Sequence, residues 1–460
     1  MTQKEALDIL KLGHNVFLTG PAGSGKTYLL NQYISYLKAH KITVGITAST
    51  GIASTHMGGS TIHSWTGMGI KDVMGQHDLN ELLKRPYLRS RFTKTKVLII
   101  DEISMLHAHR LDMVDLICRV FKHNSLPFGG MQVVMCGDFF QLPPVVRRDK
   151  EAESQGTIQP EQSLASQFVT NADIWDKMNL RICYLEEQHR QDDRAFLRVL
   201  NDIRNSEVNE MTFEYLNERM HKETHGYVQP TRLFTHNADV DQINLEQLEA
   251  LTGDTREYLM TWRGSYGLTE TLKKTCLAPT TLVLKKGAHV MFVKNNYEAG
   301  YVNGTLGEVI DFVREPLDPV SGEMQPVVRT YDGAEIRVTR ADWSVKEDDR
   351  ELAGIAQFPL RLAWAITVHK SQGMSLDAAE IDLSRSFIPG MGYVALSRVR
   401  SLSGLNLKGL NQMALMVNPD VADMDKTFHE QSTEAMLQLH AMDKKVKEEK
   451  QAAVLAHFMS

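Results

Sequence analysis

Cysteine is scarce in this 460-residue chain. Cys118, Cys136, Cys183 and Cys276 are scattered, with no Cys-x-x-Cys pair. That spacing excludes a disulfide framework or zinc ribbon and reads as reduced thiols in a cytoplasmic protein. His107 and His109 form the closest histidine pair, a weak basis for a metal site. Long apolar runs are also missing. None approaches the roughly 18 residues of a membrane-spanning helix, and Met1-Thr2-Gln3-Lys4-Glu5 has no apolar signal-peptide core. No membrane partner is expected. Positive charge is not in excess: 51 Lys and Arg against 57 Asp and Glu give a net charge of −6, which argues against nucleic-acid binding through bulk charge. No repeat at a solenoid period is visible.

What is present is material for about three structural units. In the first 150 residues short apolar runs alternate with helical patterns. Val16–Thr19, Lys41–Thr47, Val97–Ile100 and Met131–Cys136 read as strands, and Thr27–Ala39 as a helix. Continuous apolar strands separated by helices predict a parallel, doubly wound α/β sheet buried on both faces. The strand pattern stops over about 66–96, which predicts an insertion. Residues 149–168 are polar and read as a loop or linker. A second α/β pattern starts near Leu180. Residues 276–350, with short alternating runs and turns at Gly287, Asn303-Gly304 and Asp332-Gly333, predict a small all-β module. The expected organisation is 1–180 as one lobe, 181–275 with 351–420 as a second, 276–350 inserted into the second, and 421–460 as a peripheral helical tail.

Gly20-Pro21-Ala22-Gly23-Ser24-Gly25-Lys26-Thr27 fits G-x-x-x-x-G-K-[ST] between a strand and a helix. Its glycines let backbone N–H groups close around phosphate oxygens at a helix N-terminus. Gly20, Gly23, Ser24, Gly25, Lys26 and Thr27 are the candidate nucleotide ligands: Lys26 would reach the β- and γ-phosphates, and Thr27 would bind Mg²⁺. Asp101 ends an apolar strand, where its carboxylate would also hold Mg²⁺. The adjacent Glu102 can polarise an attacking water, which separates a hydrolase from a nucleotide binder. Gln141, in Gly137-Asp138-Phe139-Phe140-Gln141-Leu142-Pro143-Pro144, follows another strand and is placed to sense the γ-phosphate.

Further segments extend the pattern: Gly58-Gly59-Ser60-Thr61-Ile62-His63-Ser64-Trp65, Asp101-Glu102-Ile103-Ser104-Met105, and Pro127-Phe128-Gly129-Gly130-Met131-Gln132. Later come Glu187-Gln188-His189-Arg190-Gln191, Ala365-Ile366-Thr367-Val368-His369-Lys370-Ser371-Gln372-Gly373 and Tyr393-Val394-Ala395-Leu396-Ser397-Arg398. From Gln3 to about Leu407 the chain resembles the PIF (petite integration frequency) helicases of superfamily 1, subgroup B, in their compact bacterial form. The resemblance implies two RecA-like P-loop lobes with ATP between them, a small wedge in the first lobe, and an SH3-like module in the second. It implies ATP-driven 5′-to-3′ translocation on single-stranded DNA, with unwinding of duplex, forked and G-quadruplex DNA. It also implies ATP and Mg²⁺ as cofactors, single-stranded DNA and single/double-strand junctions as partners, a monomer in solution, and a nucleoid-associated cytoplasmic location.

Residue by residue, the resemblance makes Gln3 an adenine-reading glutamine and Arg190 and Arg398 two arginine fingers. On residue type alone they read as a surface arginine and a packing salt bridge. One motif departs from the family's Ala-Pro-Thr-Gly-x-Ala. Here Ala48-Ser49-Thr50-Gly51-Ile52-Ala53 has Ser49 in place of the proline. A backbone contact to DNA is still expected there.

A translocase grips phosphates with Lys, Arg and backbone amides and stacks bases on apolar or aromatic groups. Stacking is worth about 1–3 kcal/mol per base, and opening a duplex costs about 1.4 kcal/mol per step, so modest changes of grip suffice. Thr50, His63, Pro143, Thr367, His369 and Lys370 are the candidate DNA contacts. Trp65 reads as packing. Residues 84–96 carry six basic residues and no acid, and residues 271–297 carry five and none. They are candidates for strand entry and exit. Two other classes fit the chain less well. A nucleotide-dependent switch or remodelling ATPase is disfavoured in its GTPase form by the lack of an Asn-Lys-x-Asp motif, and a non-catalytic subunit by the intact Lys26, Asp101 and Glu102.

Overall fold

The four apolar residues Val16–Thr19 form β1, buried along its whole length. It lies in a six-stranded parallel sheet with β2 (Val44–Ala48), β3 (Ser60–Thr61), β4 (Val97–Asp101), β5 (Gln132–Cys136) and β6 (Arg181–Tyr184), in the order β3-β2-β4-β5-β1-β6. A computed structural model describes the chain except for residues 70, 72, 142–167, 187–192, 225, 235–239, 315–321, 348–349, 369, 372–373, 387 and 460. The chain divides into two units, Met1–Arg190 with Pro419–Ser460, and Gln191–Asn418.

In the first unit, helices α1 (Gln3–Lys11), α2 (Lys26–Ala39), α3 (Gly51–His56) and α4 (Ile62–Thr66) are followed by α5 (Gln76–Leu83), α6 (Pro86–Lys94) and α7 (Ala108–Lys122). Helices α5 and α6 occupy the stretch where the strand pattern stops. Phe92 of α6 stacks on Phe121 of α7 at 4.5 Å and meets Trp65 edge-on at 4.8 Å. Trp65 is buried and packs as expected.

The sequence reading needs correction at three boundaries. Strand β6 pairs with β1, so the first unit runs past 180 to Arg190. The tail expected to be peripheral starts with a helix, Pro419–His440, that buries Val421, Phe428, Ala435 and Leu439 in the first unit. Phe428 packs against Phe17 at 5.1 Å and Phe139 at 5.9 Å. That helix also covers the edge of β6, where the Tyr184 amide donates to Ser432 Oγ at 3.0 Å and the Tyr184 carbonyl accepts from the Met1 amino group at 2.7 Å. The last helix, Lys444–Met459, leans on α1 through Lys447 and Asp8 at 2.7 Å. No helix among the described residues is long and apolar enough to cross a membrane.

The second unit contains a four-stranded parallel sheet of β7 (Thr231–Phe234), β18 (Ala365–Thr367), β19 (Ala379–Leu383) and β20 (Leu405–Leu410), in the order β18-β7-β19-β20. Among the described residues ten strands lie between β7 and β18, from β8 (Arg256–Leu259) and β9 (Thr261–Gly264) to β16 (Arg350–Gln357) and β17 (Leu360–Leu362). Five of these, including β11 (His289–Phe292), β12 (Leu306–Arg314) and β13 (Met324–Thr330), make an antiparallel sheet around Val290, Phe292, Val309, Val328 and Leu360. The β-rich region starts at β8 rather than 276 and ends at β17 rather than 350, because β8 pairs with β10 (Thr281–Leu284) and β9 with β16.

Candidate functional site

Strand β1 ends at Thr19, and the next residue must turn sharply. Gly20 has φ 139°, and a Cβ there would sit 2.4 Å from the Leu185 carbonyl oxygen. Gly23 and Gly25 are also left-handed, at φ 88° and 82°, which favours glycine. Gly25 is the N-cap of α2 and offers no side-chain acceptor, so the first-turn N–H groups face the loop. Lys26 Nζ donates to the Gly20 and Pro21 carbonyls at 2.8 and 3.0 Å. The next residue, Thr27, is exposed. Ser24 is buried, and its hydroxyl has no partner among the described residues. Gln3 stands at the start of α1, fixed by a capping box between Thr2 and Glu5, and its amide reaches the Ser24 carbonyl at 3.4 Å. Gln3 and the phosphate loop are thus brought together.

Asp101 closes β4, with β5 between it and β1. Its carboxylate is buried, and burial pushes its pKa above the ordinary value, opposed by the Glu102 N–H, the Cys136 thiol and the positive charge of Lys26. Glu102 N–H donates to Asp101 Oδ1 at 2.9 Å. Glu102 itself has φ 51° and ψ 43°, an uncommon conformation for a residue with a Cβ. Gln141 is half-buried, its backbone N–H donating to the Asp138 carbonyl at 3.0 Å.

The DNA candidates Thr50 and His63 lie just beyond the C-terminal ends of two neighbouring strands, β2 and β3, whose register pairs Ala48 with Thr61. Thr50 Oγ1 accepts from the Ala53 amide at 3.3 Å. His63 lies in α4, which Thr61 caps by accepting from the Ser64 amide at 3.2 Å. In the second unit Thr367 ends β18, and its hydroxyl accepts from the Lys370 amide at 3.2 Å. The Lys370 ammonium pairs with Asp241 at 3.1 Å, and Arg361 approaches the same carboxylate at 3.7 Å. Arg398 is buried. Its guanidinium donates to the Val394 carbonyl at 3.1 Å and to Ser397 Oγ at 3.2 Å. Pro143, Arg190 and His369 lie outside the described residues.

The two basic segments are largely paired. Lys84 binds Glu81 at 2.6 Å, and Arg91 donates to the Trp65 carbonyl at 2.7 Å. Lys273 binds Glu270 at 2.8 Å, Lys285 donates to the Leu251 carbonyl at 2.8 Å, and Lys294 donates to the Asp342 carbonyl. Sequence reasoning missed Cys136 and Asp241 as neighbours of site residues. The place of Cys136, at the end of the strand beside β4, was a usable signal. Nothing local links Asp241 to Lys370, 129 positions away.

Residues 2–214 match the PIF1-like helicase family, and residues 267–312 match the DNA helicase Pif1 2B domain. The ATP-dependent DNA helicase Pif1 of Psychrobacter sp. is 43% identical over 98% of this chain and 74% of its own length. The chain belongs to the PIF1-like helicase family. Its fold is that of the family: Bacteroides sp. Pif1 in complex with ADP-AlF4 superposes with a TM-score of 0.77 at 31% identity, covering 93% of this chain and 96% of the other. Bacteroides Pif1 in complex with ADP-AlF3 and single-stranded DNA gives 0.61 at the same identity, covering 93% and 96%. The two parallel sheets of this chain are accordingly those of the two lobes of a PIF1-like helicase.

Proposed function

We propose that this chain is an ATP-dependent DNA helicase that translocates 5′-to-3′ on single-stranded DNA and unwinds duplex, forked or G-quadruplex substrates. The observation that carries this reading is the joint position of the phosphate loop and the Asp101–Glu102 pair. Both lie at the C-terminal ends of strands in one parallel sheet, where α/β proteins bind ligands, and they do so in a chain 43% identical to a Pif1 helicase. The α5–α6 pair fits the wedge, and the five-stranded sheet fits an SH3-like module.

The loop amides and the α2 N-terminus hold the phosphates. Lys26 neutralises charge on the β- and γ-phosphates, Gln3 reads adenine, and Gln141 senses the γ-phosphate. Thr27 and Asp101 suit Mg²⁺, since hydroxyl and carboxylate oxygens are hard ligands and a cation beside buried Asp101 favours its ionised form. When bound, Mg²⁺ supplies neutralisation of phosphate charge. Glu102 orients and polarises the attacking water, and Arg190 and Arg398 stabilise charge developing at the γ-phosphate, a role worth about 10³–10⁵ in rate. Thr50, His63, Pro143, Thr367, His369 and Lys370 follow the DNA strand.

Steady-state ATPase with and without single-stranded DNA tests the reading. Stimulation by DNA is expected and should vanish in Glu102→Gln. A nucleotide-dependent switch would show none.

A further inference from the structure

Ser49 is bound twice to the peptides of the candidate catalytic pair. Strands β2 and β4 run in register with Ala48 opposite Asp101. One residue on, the Ser49 amide donates to the Asp101 carbonyl at 3.0 Å. Its hydroxyl donates to the Glu102 carbonyl at 2.5 Å. That carbonyl also accepts from the Met105 amide at 3.2 Å. Glu102 is left-handed, a state that persists in a residue with a Cβ only where neighbours hold it. The Ser49 hydroxyl is one of those restraints, and the only one among these bonds that comes from a side chain outside the Asp101–Met105 turn.

On its other side, Ser49 leads directly into Thr50. Thr50 is fixed in turn by the Ala53 amide at 3.3 Å and by its carbonyl accepting from the Ser54 amide at 3.1 Å, which starts α3. The path from a candidate DNA contact to the backbone of the water-polarising glutamate is therefore one residue long. A proline at this position has neither an N–H nor a hydroxyl and would make neither bond.

We propose that Ser49 is a positioning residue that couples DNA engagement at Thr50 to the orientation of Glu102, so that ATP turnover rises when the strand is held. This rests on the reading of Glu102 as the group acting on water and of Thr50 as a DNA contact.

The test compares the full chain with Ser49→Ala, which removes the hydroxyl and keeps the amide, and with Ser49→Thr, which restores a hydroxyl. Ser49→Ala should lower DNA-stimulated kcat about tenfold, within the ordinary range of coupling between sites, and basal kcat by a smaller factor, while KM for ATP and Kd for an oligothymidine strand stay within about twofold. Ser49→Thr should return most of the stimulation. A stimulated kcat within about twofold of wild type in Ser49→Ala would overturn the inference, as would basal and stimulated rates falling by the same factor. Glu102→Gln and Thr50→Ala run alongside. Turnover retained in the first, or unchanged DNA affinity in the second, removes the underlying reading rather than the coupling.

Discussion

The Tyr184 amide and the Ser432 hydroxyl, 248 positions apart, meet at 3.0 Å and close the outer edge of the first sheet. An edge strand exposes unpaired backbone groups, and here a C-terminal helix covers them. Phe428→Ala should therefore destabilise the protein by about 3–5 kcal/mol, the usual cost of removing a buried aromatic. Ser432→Ala should cost about 1–3 kcal/mol by leaving a buried amide unpaired. Urea denaturation reads both. Unchanged midpoints would make the helix peripheral.

Lys26 sits across the carbonyls of Gly20 and Pro21. Charge-assisted hydrogen bonds of this kind are worth about 1.5–3 kcal/mol, so Lys26→Ala should lower the thermal midpoint modestly while abolishing ATP hydrolysis. Turnover near that of the parent would remove the nucleotide site from this loop.

Arg398, two residues past the helix Met391–Leu396, donates to the Val394 carbonyl and to the Ser397 hydroxyl. If its guanidinium acts on the transition state, Arg398→Ala should lower kcat at least about tenfold while nucleotide affinity holds. A loss confined to binding would assign the residue to packing.

The Lys370–Asp241 pair, partly exposed on both sides, is worth no more than about 1 kcal/mol. A DNA phosphate can displace it. Lys370→Ala should weaken single-strand binding uniformly across sequences and lower the log–log salt slope by about 0.7. Asp241→Asn should tighten binding up to about fivefold by freeing the ammonium. An unchanged salt slope in Lys370→Ala would exclude a phosphate contact.

Legibility in the sequence followed the range of the interactions. The strands that lead into the candidate phosphate loop and into Asp101 were readable because a buried parallel strand is a continuous apolar run. Strand β8 was not, because Arg256-Glu257-Tyr258-Leu259 buries only Tyr258 and reads as polar. The helix carrying Phe428 and Ser432 was misread because its amphipathic pattern names no partner, and its target lies at the other end of the chain. The two basic segments read as candidates for strand entry and exit because pairing with Glu81, Glu270 or a distant carbonyl has no period. Ser49 was visible as a departure from the family pattern, but its two bonds to Asp101 and Glu102 depend on sheet register.

The most direct measurement is strand displacement from two partial duplexes, one with a 5′ single-stranded tail and one with a 3′ tail, at saturating ATP. The helicase assignment predicts ATP-dependent unwinding of the 5′-tailed substrate alone, lost in Lys26→Ala. Unwinding only from the 3′ tail, or of neither substrate while DNA-stimulated ATPase persists, would contradict it.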